Sequence, residues 1–204
     1  MDPNVASEQI QIIRTLMERA ALYRRAMAPL MAAAGITGLL GGGIGYAAAL
    51  GPDWRFVTMW SGVAFVALII SLLLVRRQAL KDSEPFWSPP TRRVAQAMLP
   101  GLAAGSLVGP LSLIFNPGLI PSEILPSLWM VLYGCSLCSA GFFISRGVRI
   151  LGWLFLLCGC AVLCVHGTFR ISGLPDIEMA ASFGGLHLAS GIYLFFTEKN
   201  QAKQ

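Results

Sequence analysis

Residues 56–77 read FVTMWSGVAFVALIISLLLVRR, a run of uncharged residues closed by an arginine pair. An α-helix rises about 1.5 Å per residue, so about 20 apolar residues cross a hydrocarbon core roughly 30 Å thick. Inside lipid the backbone must satisfy its own polar groups, which makes the segment helical. Outward from it, five further apolar runs occupy about 29–50, 94–115, 124–145, 148–168 and 179–197, and every Asp and Glu falls outside the six. The chain is 55% hydrophobic and 12% charged, which excludes the balance of an ordinary soluble domain. The expected fold is all-α: a six-transmembrane-helix bundle over 29–197 (29–50, 56–75, 94–115, 124–145, 148–168, 179–197), preceded by an arm, 1–28, and followed by a tail, 198–204.

The Lys and Arg residues sort onto alternate joints. Arg14, Arg19, Arg24 and Arg25 precede the first run, Arg76, Arg77, Lys81, Arg92 and Arg93 follow the second, Arg146 and Arg149 follow the fourth, and Lys199 and Lys203 follow the sixth. The other joints hold only Arg55 and Arg170, among Asp53, Glu123, Asp176 and Glu178. Short basic joints stay cytoplasmic, so both termini are expected on the cytoplasmic side of the membrane. The net charge of +5 follows from this asymmetry. It points to anionic lipid at the cytoplasmic face and not to direct nucleic-acid binding. Tyr46, Trp54 and Trp60 fall near the outer boundary, where aromatic rings anchor helices.

In the arm, Ile10, Ile13, Met17, Ala20, Tyr23 and Met27 recur at helical spacing, which predicts an amphipathic helix over about 7–27 on the cytoplasmic face. Its apolar side would lie on the inner leaflet or dock a cytoplasmic protein. The arm has neither a secretory signal nor a mitochondrial presequence, so the first run is expected to remain as an anchor. The stretch Ile13-Arg14-Thr15-Leu16-Met17-Glu18-Arg19-Ala20, with Tyr23, resembles the opening I-R-x-x-M-E-R-S/A of a family of uncharacterised bacterial inner-membrane proteins. The resemblance covers about a dozen residues. It implies a multi-span protein encoded beside a winged-helix transcriptional regulator, a candidate partner. It supplies no catalytic residues, and Ala20 stands where Ser is commoner.

Residues 26–38 align without gaps on 97–109, matching Ala26/Ala97, Met27/Met98, Pro29/Pro100, Ala32/Ala103, Ala33/Ala104 and Gly38/Gly109, each copy after an arginine pair. Either a parallel repeat of two-span units or the shared composition of small-residue spans accounts for this. Gly101, Gly105 and Gly109 form one small-residue face, and Gly38 and Gly42 with Ala34 form another. Such faces permit close helix packing in lipid and place spans one and three near the centre. They serve intramolecular and intermolecular contact equally, leaving a homo-oligomer open. Pro29 and Pro100 are expected in first turns, and Pro110 is expected to kink or end span three.

Cysteines occur only in spans four and five, as Cys135, Cys138, Cys158, Cys160 and Cys164, outside any disulfide framework. Counting depth brings Cys135, Cys158, Cys160 and His187 to the midplane. An ionisable group there is a functional candidate. Thiol and imidazole together would suit Cu, Zn or haem iron as metal ligands, whereas a neutral His bonded to Tyr133, Ser182, Ser190 or a backbone carbonyl answers the same sequence without a cofactor. His166, Arg170, Asp176 and Glu178 border the joint between spans five and six, as a solvated outer rim or a sensor of pH or ligand. The run Gly41-Gly42-Gly43-Ile44-Gly45 lacks the Lys-Ser/Thr of a phosphate loop, and no G-x-S-x-G or H-E-x-x-H occurs. The reading is a non-catalytic sensor, regulator or assembly partner acting through the arm and the 76–93 joint. The alternatives are a small-molecule or ion transporter and a metal- or haem-binding membrane protein.

Overall fold

A computed structural model describes residues 27–48, 53–81, 86–115, 119–169 and 174–201. Residues 1–26, with the amphipathic arm and its family-like stretch, lie outside the described residues, as does Arg170. The described residues form helices and turns, with no strand among them. α1 is Met27–Ala48. α2 (Asp53–Lys81), α3 (Pro89–Phe115), α4 (Leu125–Ala140) and α5 (Arg146–Phe169) follow. α6 (Pro175–Met179), a π-helical segment (Ala180–Leu186) and α7 (His187–Gln201) then run on as one rod. Among the described residues five helices are long and apolar enough to cross a membrane: Met27–Ala48, Asp53–Lys81, Thr91–Phe115, Arg146–Thr168 and Pro175–Thr197.

The fourth apolar run departs from expectation. Its hydropathy predicts a span over 124–145, but α4 has 16 residues, a length of about 24 Å. Gly141 meets the backbone of Arg149, 2.8 Å from where its Cβ would stand. The chain therefore reverses through 141–145, with the N–H groups of Phe143 and Ile144 both donating to Ala140 O. Phe142, Phe143 and Ile144 keep the run apolar while the helix has already ended.

Glycine contacts set the helix directions. Gly35, Gly38 and Gly42 on α1 meet Leu188, Gly184 and Ala180 in that order, so α1 is antiparallel to the last rod. Gly41 and Gly45 of α1 face Val63 and Met59 of α2, Gly101 and Gly105 of α3 face Ser136 and Trp129 of α4, and Gly134 and Gly141 of α4 face Leu156 and Arg149 of α5. Every one of these pairs is antiparallel. Arg76, Arg77, Lys81, Arg92, Arg93, Arg146 and Arg149 consequently share one end of the bundle, and Asp53, Glu123, His166, Asp176 and Glu178 share the other.

The core gathers around α4, where Leu125, Pro126, Ser127, Met130, Gly134, Ser136, Leu137 and Ala140 are buried. Only 11% of the apolar windows of α2 and α3 is buried, so α3 lies at the periphery and not at the centre. Phe65, Leu72, Leu99, Leu107 and Ile114 face outward, an apolar surface suited to lipid. This exterior and the five long apolar helices among the described residues fit a membrane protein.

The prolines also sit differently. Because α3 begins at Pro89, both Pro100 and Pro110 lie in its interior, and the helix passes Pro110 to reach Phe115. Pro89 and Pro90 supply the first-turn prolines, where a missing N–H costs nothing. Ser88 precedes them, its carbonyl accepting from Arg92 N–H and its hydroxyl 2.9 Å from that of Thr91.

Candidate functional site

His187 opens α7 immediately after the π-helical segment and is 3% exposed. Its backbone N–H turns to Gly184 O, and its Nδ1 lies 2.7 Å from Phe183 O. A carbonyl can only accept, so Nδ1–H is the donor. In the neutral ring Nε2 then accepts from the Tyr133 hydroxyl of α4, 2.8 Å away. The rings of Tyr133, Phe155 and Phe183 close around the imidazole with centroids 5.1 to 6.3 Å apart. Phe155 comes from α5 and is fully buried, so this aromatic centre joins α4, α5 and the last rod.

The cysteines expected beside His187 lie elsewhere. Cys135, Cys158, Cys160 and Cys164 are exposed, and Cys138 is half-buried with Sγ 3.9 Å from Arg149 O. Helix rotation explains it: Tyr133 points inward, and two residues on, about 200° round, Cys135 points out. On α5 it is Gly159 that faces α4, against Met130 and Ser127 O, leaving Cys158 and Cys160 on the flanks. Among the described residues no group of three or more His, Cys, Asp or Glu is placed to hold a metal ion.

At the acidic end the expected solvated rim is largely enclosed. Asp176 is 9% exposed, and its Oδ1 accepts from Trp60 Nε1–H at 2.9 Å. Gly42 and Gly45 let α1 approach the backbone and carboxylate of Asp176. His166 Nε2 lies 2.9 Å from Glu178 Oε1, with side chains 8% and 24% exposed. The second oxygen of Glu178, Oε2, is buried without a hydrogen-bond partner. Trp60, read from sequence as an interfacial anchor, is 3% exposed and serves as a donor, whereas Tyr46 and Trp54 are outward-facing.

The small-residue faces have specific partners. Gly38 and Gly42 face the last rod, Gly101 faces Ser136 and Leu132 O, and Gly105 and Gly109 face Trp129. Sequence reasoning missed the closest α4–α5 crossing, where Gly134 meets Leu156 N and Gly152 O, and Gly152 meets Cys138 N. A signal existed: Gly134/Gly141 and Gly152/Gly159 are each seven residues apart, the spacing that returns to one face of a packed helix. No family model, curated protein or solved structure matches the chain.

Proposed function

We propose that this chain is a multi-pass bacterial inner-membrane protein with six spans and both termini cytoplasmic, acting without catalysis as a sensor, regulator or assembly partner. The observation that carries the reading is the closed centre. His187, the ionisable group at mid-depth, is sealed among three aromatic rings with both ring nitrogens bonded. A transport path through this level would need polar groups open to water, and a metal or haem would need a free imidazole nitrogen. The working surfaces are then the ends of the bundle.

Counting α4 as a span rests on its apolar helix and on Phe142 and Phe143, which extend its reach at the basic end. Placing that end in the cytoplasm rests on the bias of Lys and Arg. Anionic lipid would meet Arg76, Arg77, Arg92 and Arg93 there, and a cytoplasmic protein such as a transcriptional regulator would meet the arm. The test is affinity isolation from crosslinked membranes, comparing the full chain with one lacking residues 1–26. Loss of a specific partner on deletion is expected. Retention of every specific partner would overturn docking through the arm.

A further inference from the structure

We propose that His166 and Glu178 form a proton-dependent latch that joins α5 to the last rod and couples proton concentration at the acidic end to the π-helical segment. The 2.9 Å contact bridges α5 and the start of the last rod at the acidic end. It is asymmetric: Oε1 of Glu178 has the imidazole, and Oε2 is buried with no hydrogen-bond partner. A carboxylate in this position depends on its neighbour's charge, because burying an ionised group without compensation is costly. With a proton on the imidazole the bond is charge-assisted. Without that proton the ring is neutral and the bond loses its charge assistance.

Glu178 also touches the element the latch would move. Its backbone carbonyl accepts from Ser182 Oγ at 2.6 Å, inside the π-helical segment, and Ser182 is buried. That segment ends at His187 and its bond to Tyr133. π-Helical turns are rare and concentrate at functional positions, and ordinary α-helical register is an adjacent alternative. The rod thus carries the outer ion pair at one end of its irregular stretch and the aromatic centre at the other.

Other charged groups stand at this end. Asp176 is turned to Trp60 of α2 and Gly45 of α1. Asp53 Oδ1 of α2 accepts from Ser122 N–H, Arg55 lies over Trp54, and Glu123 precedes α4. α1 carries no charged residue over 27–48, and Arg170 lies outside the described residues.

The latch would supply the input to the proposed sensor, and it rests on that reading only for its use in the cell. Its test uses the full chain in lipid nanodiscs, with the native cysteines replaced by Ala and spin labels at Gly167→Cys and Ile177→Cys. The first site has open space around it and the second is exposed. Between about pH 5.5 and about pH 8, about a fivefold change in the ratio of short to long inter-label distances is expected, the scale by which a charge-assisted bond exceeds a neutral one. Glu178→Gln should abolish the response, and Asp176→Asn should preserve it. A pH-independent distance distribution in the parent, or an equal response in Glu178→Gln, would overturn the latch. If Glu178→Gln does not fold, His166→Gln replaces it and the parent's pH series decides. A flat series leaves docking through the arm standing, and retained partners on deletion of 1–26 leave the latch standing.

Discussion

Gly134→Ala is the sharpest probe of how this bundle is held together. The added Cβ would stand 2.7 Å from Leu156 N, 2.8 Å from Gly152 O and 3.0 Å from Leu156 Cα. Carbon contacts are comfortable at about 3.5–4.0 Å. All three atoms are backbone, so no side chain can rotate away, and α4 and α5 must part by roughly 0.7–1 Å, which forfeits a quarter to a half of each dispersion contact. The loss is shared along the interface, because Gly141 against Arg149 and Gly159 against Met130 belong to the same crossing. Overpacking costs about 1–3 kcal/mol, and replacing Gly by Ala in a helix returns up to about 1 kcal/mol. With the full gain, the net expectation is a loss of about 0–2 kcal/mol. Gly62→Ala is the internal control. Nothing lies within 4 Å of that Cβ, so only the propensity gain remains. Reversible unfolding of the full chain in mixed detergent micelles, followed by helix circular dichroism, should separate the two variants by about 1–3 kcal/mol, because the propensity gain is common to both. Equal stabilities would refute the glycine crossing.

Four further outcomes follow from the site. Tyr133→Phe leaves His187 Nε2 without a donor and should cost about 1 kcal/mol in the same assay, the scale of hydrogen bonds between helices in lipid; no loss would mean the bond is absent. Nitrogen-15 spectra of the two labelled histidines should show His187 as the Nδ1–H tautomer, and the Nε2–H form would contradict the bond to Phe183 O. Asp176→Ala should cost about 1–3 kcal/mol by stranding the buried Trp60 N–H, whereas Asp176→Asn keeps an acceptor and should cost less; equal losses would remove the indole bond from the account. Metal analysis and visible absorption of the purified chain should not change in His187→Ala, and a metal or chromophore lost with the imidazole would contradict the closed centre.

The apolar runs, the breaks between most of them and the charge contrast between the joints were legible because hydropathy and charge act residue by residue against the solvent. Helices α1, α2, α3 and α5 and the last rod fall where those runs lie. The fourth apolar run is longer than its helix because Phe142, Phe143 and Ile144 are apolar in a turn as in a helix, and hydropathy does not register a chain reversal. Asp176 was read as solvated because Gly42, Gly45 and Trp60, which enclose it, come from α1 and α2, more than a hundred residues away. Counting along a helix left both the cysteines and Tyr133 or a backbone carbonyl open as partners of the imidazole, since it gives height and not rotation about the axis; Tyr133 and Phe183 O are the partners it meets.

By itself, then, the amino-acid sequence determined which stretches are helical and apolar and which joints are basic, properties each residue carries into any lipid environment. The tertiary structure alone decided that α4 takes the centre, that Gly134 meets Gly152, that Tyr133 and not a cysteine meets His187, and that Glu178 faces His166. Those contacts depend on the azimuth and crossing of pairs of helices, which packing settles only when all the helices are assembled.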